Sequence, residues 1–325
     1  MKMKMGLKTV LGMLMFVVGC ATAPSDAIKV ASYNIRLSGE NGRADRGTPN
    51  AWKERKEDLL ALVKKLDLDV FGLQEVCPDQ AQFLRENLAG YEFVGEHRNA
   101  DRTSGEASPV CYRKSRFEAL DKGTFWLSET PDTPGLKGWG AACPRVCSYL
   151  ILRDRSTGKK FCFANAHTDH VSALARKNGM LLVIDRMKKF GSGLPIVFTG
   201  DHNCRETEEP AMAVKERLKD ALYVSESPQK GSWRTFSGWK WLDKEVSIVE
   251  ALQVPAKLRN AKKGSPDAMK DAQGLHPYEK YGARIDYIYV SDGIRVIDYR
   301  TVNDSRPGKK LYPSDHFPVV ATIEL

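Results

Sequence analysis

Short apolar segments that end in polar clusters are the feature that most restricts the fold of this chain. Apolar, β-branched runs are typical of buried strands, and polar groups directly after them lie at the edge of a sheet. Five clusters stand at the ends of such runs: Tyr33-Asn34, Gln74-Glu75, residues 165–170, residues 200–203 and Ser314-Asp315-His316, the last of which precedes its run. A sixth acid, Asp286, lies within the apolar segment 284–290, where a buried carboxylate needs a partner. Together these clusters predict that distant parts of the chain meet at one site.

Strand and helix patterns alternate along the chain. The predicted strands are 28–33, 69–73, 110–112, 145–152, 160–167, 195–199, 284–290, 295–302 and 317–325, and the predicted helices are 51–65, 79–88 and 173–190. The turn signal Ser156-Thr157-Gly158 predicts an antiparallel hairpin between 145–153 and 160–167. This mixture predicts an α/β fold of two packed mixed sheets with helices outside, in one domain over residues 28–325. We expect the weakly periodic stretch 243–280 to be a surface excursion or lid.

The first residues are typical of an export signal. Lys2, Lys4 and Lys8 accompany an apolar run at 10–18, which is too short to span a bilayer. Residues 17–20 resemble a bacterial lipobox, so we expect residues 1–19 to be a signal peptide and 20–27 a tether lipidated at Cys20. The expected location is the bacterial cell envelope, either periplasmic or at the cell surface. The alternative is an ordinary signal peptide with an incidental Cys20.

Charge and cysteine content exclude little. The formal net charge of +9 suits anionic substrates but is equally an ordinary solubility feature. Export would permit disulfides, and Cys143 and Cys147 are close enough in sequence to pair. The alternative is that no disulfide forms, because the other cysteines follow the pattern of small buried apolar residues.

The polar clusters suit metal-assisted hydrolysis of a phosphate ester. Oxygen ligands such as Glu75, Asp315 and the amide of Asn34 favour Mg²⁺ or Mn²⁺. An Asp–His pair can activate water, and a second histidine with an asparagine can donate hydrogen bonds to phosphoryl oxygens.

The order of these motifs (N, QE, H, GDxN, D, SDH) resembles the endonuclease/exonuclease/phosphatase superfamily. The resemblance runs from Ala31 to His316, nearly the whole mature chain. It implies a four-layer α/β/β/α sandwich and a divalent metal.

The resemblance also implies roles for the central residues. Glu75 binds the metal, with Asn34 as a further ligand or a phosphate contact. Asp201 and Asn203 position the attacking water and the scissile phosphate. His316 is the general base or a hydrogen-bond donor to the transition state. Asp286 orients it.

Further roles surround this centre. His167 supports the phosphoryl oxygens and is held by Glu106, while Asp315 is an additional metal ligand. Arg98 and Arg145 are candidate phosphate clamps, with surface salt bridges as the alternative. His202 departs from the family pattern and is either packed in the core or an extra ligand. Five aromatic residues could line a substrate groove: Trp126, Trp139, Trp233, Phe236 and Trp239.

The substrate is the least determined part of this prediction, because a fold does not fix a substrate. We expect a small phosphodiester or monoester, such as a sugar phosphate, an inositol phosphate or a phospholipid head group. A secreted nuclease acting on DNA or RNA is one alternative, and a catalytically inactive binding module is another. Oligomeric state stays open.

Overall fold

A computed structural model describes residues 26–39, 42–261, 270 and 277–325. Twelve strands form two sheets of six strands each. The strands are β1 (Ile28–Asn34), β2 (Val70–Gln74), β3 (Tyr91–Val94), β4 (Val110–Arg113), β5 (Phe117–Trp126), β6 (Val146–Asp154), β7 (Lys160–His167), β8 (Ile196–Asp201), β9 (Lys219–Asp220), β10 (Asp286–Val290), β11 (Arg295–Thr301) and β12 (Val319–Glu324). The first sheet has the order β11-β12-β1-β2-β4-β3, and the second has the order β5-β6-β7-β8-β10-β9.

Within the described residues, eight helices accompany the two sheets. They are α1 (Trp52–Leu66), α2 (Pro78–Asn87), α3 (Ala173–Gly191), α4 (Glu209–Lys215), α5 (Ala221–Val224), α6 (Ile248–Leu252), α7 (Ala256–Arg259) and α8 (Pro277–Tyr281). The apolar faces of α1 and α2 pack on the first sheet, and those of α3 and α4 pack on the second. A third apolar cluster fills the space between the sheets. The predicted four-layer α/β/β/α sandwich is therefore confirmed.

A buried amide joins the two sheets directly beneath the edge where the polar clusters lie. Asn165 Nδ2 donates to the backbone carbonyl of Leu73 at 2.8 Å, and its Oδ1 accepts from Gln74 Nε2 at 2.6 Å. Gly72 permits this approach, because a Cβ there would lie 2.1 Å from Asn165 Oδ1. These satisfied polar contacts fix how the sheets are aligned, since a buried amide left unpaired would be costly.

Several local predictions can be compared with the fold. The hairpin is confirmed as β6 and β7, which pair antiparallel. Of the two alternatives for Cys143 and Cys147, the structure has the one without a disulfide, since all six described cysteines are unpaired. Cys147 is fully buried in the outer core of the second sheet, whereas Cys143 is partly exposed in the loop before β6. The predicted signal peptide and Cys20 lie outside the described residues.

The stretch 243–280 differs from its prediction where it is described. Ile248 and Ala251 of α6 are fully buried, and Arg259 of α7 pairs with Glu206 at 2.8 Å. Because these contacts reach the core, residues 246–260 are an integral part of the fold rather than a surface excursion. Across the described ranges, the helices are too short or too polar for a membrane span.

Candidate active site

Strand register brings three of the predicted site residues side by side in the second sheet. His167 at the end of β7 pairs with Asp201 at the end of the parallel strand β8. Asp286 at the start of β10 pairs with the same Asp201 across an antiparallel ladder. Parallel β7 and β8 end at the edge where antiparallel β10 begins, so an imidazole and two carboxylates meet there.

The first sheet adds an amide and a further acid to this edge. Asn34 ends β1 and donates through Nδ2 to Glu75 Oε1 at 3.0 Å and to Asp201 Oδ2 at 2.9 Å. Its Oδ1 accepts from the backbone amide of Arg36 at 2.9 Å. In this orientation Asn34 links the two carboxylates. Its role as a metal ligand or a phosphate contact stays a prediction.

Two site residues adopt left-handed backbone conformations. Glu75 has φ +62° and Asn203 has φ +47°. Both are stabilised by local hydrogen bonds, from the Leu37 amide to Glu75 Oε2 and from the Asn203 amide to Asp201 Oδ1. Non-glycine residues seldom adopt this conformation, and it is concentrated at functional sites where the surroundings hold it in place.

His316 is held by Asp286, as predicted. His316 Nδ1 lies 2.9 Å from Asp286 Oδ2, and Nε2 lies 3.6 Å from Asp201 Oδ2. Asp286 is fixed in turn by its backbone amide, which donates to Thr235 Oγ1 at 3.1 Å. The phenyl ring of Phe236 lies against the imidazole with the ring centres 4.8 Å apart.

The electrostatics of this cluster favour a protonated His316. Burial lowers the pKa of His316, but Asp286 and Asp201 outweigh burial and raise that pKa to about 10. Burial, with the added charge of Asp286, raises the pKa of Asp201 to about 7 despite the nearby His316. Both predicted roles of His316, general base and hydrogen-bond donor to the transition state, stay predictions.

His167 differs from the expected arrangement. Its Nε2 lies 2.8 Å from Asn203 Nδ2 and 3.5 Å from Asp201 Oδ2, while its Nδ1 is buried with no hydrogen-bond partner. Glu106 instead pairs with Arg98 Nη2 at 2.8 Å. The prediction that Glu106 holds His167 is therefore wrong, because Arg98 engages that carboxylate. Burial, with the nearby Arg145, lowers the pKa of His167 well below its usual value and keeps the ring neutral.

These groups face a cleft of about 430 Å³. Three guanidinium groups line it, from Arg36, Arg98 and Arg145. Arg145 Nη2 lies 3.0 Å from His170 Nδ1, and Arg145 Nε is buried with no hydrogen-bond partner. Because a guanidinium group binds phosphate oxygens through paired N–H donors, this cleft suits a phosphate group beside the acid–imidazole cluster.

The structure also shows where Asp315, His202 and the five aromatic residues lie, and the metal-ligand role of Asp315 stays a prediction. Asp315 lines the cleft and lies 3.9 Å from Arg36 Nε, so it faces a guanidinium group; burial and the charge of Glu75 raise its pKa. His202 is packed, since its ring stacks on those of Tyr287 and Tyr289 in the core. Of the five aromatic residues, Phe236 lines the cleft, whereas Trp126 and Trp233 are buried elsewhere.

Sequence reasoning missed Arg36 as a cleft residue. It lies two residues beyond Asn34, in the left-handed region with φ +57°, and its Nε contacts Asp45 at 3.1 Å. The sequence signal that could have identified it is a basic residue two positions after the polar end of a strand.

The donor set fits a divalent cation. Glu75, His167 and Asp201 place one ligand atom each within 4.8 Å of one another, and Glu75 and Asp201 supply hard oxygen donors. When bound, such a cation would polarise phosphoryl oxygen and offset charge developing on the phosphate.

A model of the Endonuclease/Exonuclease/phosphatase family matches residues 31–316. The chain belongs to this family. It is a phosphoester hydrolase, and dependence on a divalent metal is typical of the family. The binding-only alternative is therefore set aside.

Similar proteins include both phosphatases and nucleases. A solved endonuclease/exonuclease/phosphatase family protein from Bacteroides thetaiotaomicron is 31% identical, with a TM-score of 0.73 over 91% of this chain and 97% of that chain. A mannosyl-6-phosphatase from the same species is 31% identical, with a TM-score of 0.70 over 92% of this chain and 100% of that chain. The CCR4-Not complex 3'-5'-exoribonuclease subunit Ccr4 of Phaeosphaeria nodorum is 28% identical over 163 residues, 44% of this chain and 27% of that protein. This chain spans less than half the length of the first curated relatives that it matches.

Proposed function

We propose that the protein is an exported, lipid-anchored phosphoesterase that uses Mg²⁺ or Mn²⁺ and acts on small phosphate esters, with sugar phosphates foremost. The observation that carries this proposal is the group of three arginines around the acid–imidazole cluster. Arg36, Arg98 and Arg145 all line one cleft with Asp201 and His316. Guanidinium groups placed there can bind phosphate oxygens beside the reactive carboxylates and imidazole.

The catalytic roles follow from the contacts. His316, protonated and held by Asp286, donates a hydrogen bond to the phosphate as negative charge develops. Asn203 is placed by its amide bond to Asp201 and faces the same cleft. Asp201 accepts from Asn34 and faces both imidazoles, so it is the group best placed to orient a nucleophilic water.

The similarity to a mannosyl-6-phosphatase favours a sugar phosphate as substrate. That similarity extends over nearly the entire length of both chains at 31% identity. The Ccr4 relative favours a nuclease as the second candidate, but its match is confined to 44% of this chain. We therefore rank sugar phosphates first and nucleic acid second.

A hydrolysis screen tests the proposal, with inorganic phosphate measured for the monoesters and released nucleotides or head groups measured for RNA and phospholipid vesicles. The panel contains sugar phosphates, inositol phosphates, nucleotides, RNA and phospholipid vesicles, each with Mg²⁺ and with Mn²⁺. Asp201→Asn is the inactive control, because it removes a carboxylate of the cluster. We expect sugar phosphates to be hydrolysed fastest. Preferential degradation of RNA would favour the nuclease instead, and no release from any ester would defeat the proposal.

A further inference from the structure

A second cavity adjoins the catalytic cleft. It has a volume of about 570 Å³ and shares Arg98 and Glu106 with the cleft as a common wall. Leu37 also lines it, and the amide of Leu37 donates to Glu75 Oε2 at 2.9 Å. The cavity therefore lies directly beside the predicted metal-binding carboxylate. Its size is in the usual range for a small-molecule pocket.

The wall between the two spaces is rigid. The Arg98 amide donates to the Glu106 carbonyl at 2.9 Å, and the Arg98 carbonyl accepts from Trp126 Nε1 at 2.7 Å. The side chains of Arg98 and Glu106 also pair with each other. Asp101 caps the turn by accepting from the amides of Thr103 and Ser104, both at 2.9 Å. At this wall a ligand would thus meet a preformed surface.

The chemistry of the lining suits hydroxyl groups. Asp79, Asn99 and Ser104 supply carboxylate, amide and hydroxyl side chains. Asp79 Oδ1 accepts from Ser38 Oγ at 2.6 Å, and Asn99 Nδ2 donates to Ser104 Oγ at 2.9 Å. Each carboxylate or amide oxygen has more than one acceptor position, so capacity for further hydrogen bonds stays available.

The described lining of this cavity contains no aromatic side chain. A nucleobase is usually held by stacking on an aromatic ring, so the lining does not favour a nucleotide. A polyhydroxylated group needs several hydrogen-bonding partners instead, and these are present.

We propose that this second cavity receives the carbohydrate portion of a sugar phosphate while the phosphate occupies the catalytic cleft. Asn99 and Asp79 bind sugar hydroxyls, and the Arg98–Glu106 pair separates the two halves of the substrate. This inference rests on the proposed function and specifies the class of its leaving group.

The test compares a substrate that has hydroxyls with one that lacks them. Mannose 6-phosphate and phenyl phosphate are assayed with the wild type, Asn99→Ala and Asp79→Asn. We expect either substitution to lower the ratio of kcat/KM for mannose 6-phosphate to kcat/KM for phenyl phosphate by roughly tenfold, mainly through KM, since hydroxyl hydrogen bonds are lost. Asn87→Ala is the matched control, because Asn87 is exposed at the end of α2 and lines neither cavity.

The possible outcomes distinguish a failure of the carbohydrate subsite from a failure of the proposed phosphoesterase function. If the wild type hydrolyses both esters and neither substitution changes the ratio, the carbohydrate subsite is overturned while the phosphoesterase proposal stands. The same holds if both esters lose activity equally. If the wild type hydrolyses neither ester, both proposals fail. Thermal unfolding confirms that each variant is folded, and Asp79→Asn carries the test if Asn99→Ala does not fold.

Discussion

The imidazole of His316 is hydrogen-bonded to the carboxylate of Asp286 and faces that of Asp201. Among single residues, His316 therefore offers the clearest test of the proposed mechanism. Removing its side chain in His316→Ala should lower turnover by roughly 10²-fold or more, because a group that donates to the reacting phosphate is lost. Steady-state kinetics on a sugar phosphate measure the loss. A rate near that of the wild type would remove His316 from the mechanism.

The hydrogen bond between His316 and Asp286 provides a second test of the mechanism. Asp286→Asn should also slow turnover, because it weakens the hold on Nδ1 and the charge that keeps His316 protonated. The double variant should be about as slow as His316→Ala alone, since residues acting as one unit are not additive. Fully multiplicative losses would show that the two residues act independently.

Among the strands and helices, strand register determines where the site lies. Buried charged side chains determine how α7 and β10 are held to the rest of the fold. Glu206 accepts from Arg259 Nε at 3.1 Å and from Asn260 Nδ2 at 2.8 Å, and it also accepts from Tyr223. It thereby ties α7 to the loop after β8. Arg284, 3.8 Å from the same carboxylate, extends the network toward β10.

Glu206→Gln should therefore destabilise the fold without touching the cleft. Breaking one side of a buried ion pair typically costs about 3–5 kcal/mol. Burial raises the pKa of Glu206, but Arg284, Tyr223 and Arg259 lower it further, so its net pKa is depressed. A depressed folded-state pKa means that the stabilisation is present above pH 4.5, the ordinary value, and is lost as pH falls through the folded-state pKa.

Urea unfolding at pH 7 and in steps below pH 4.5 measures this effect. The gap in unfolding free energy between wild type and Glu206→Gln should shrink as pH falls. Glu57→Gln, on the exposed face of α1, should show almost no gap at any pH. A gap that is unchanged at low pH would mean that the charge of Glu206 does not stabilise the fold.

At the scale of the whole molecule, the layers could be predicted because apolar periodicity reports burial directly. β2 and β8 are fully buried, and their apolar runs were visible in the sequence. The meeting of Asn34, Asp201, Asp286 and His316 could also be predicted, since each follows or begins an apolar strand. Contacts that depend on loop conformation could not be predicted from the sequence.

The Arg98–Glu106 pair shows why some contacts escaped prediction. It forms because the loop 95–107 folds back on itself, with the Arg98 amide bonded to the Glu106 carbonyl, and no spacing rule encodes that turn. Arg36 reaches the cleft from a left-handed backbone conformation. Arginine is not a residue type that predicts this conformation. The packing of α6 depends on distant partners in the core between the sheets.

If Glu75, Asp201 and His316 form one cation-dependent centre that hydrolyses phosphate esters, removing the metal should abolish activity. Phosphate release from mannose 6-phosphate is followed after treatment with a chelator and again after Mg²⁺ or Mn²⁺ is restored. We expect turnover to stop on chelation and to return with the cation, while Asp201→Asn stays inactive throughout. Undiminished turnover in the chelated enzyme would contradict this expectation.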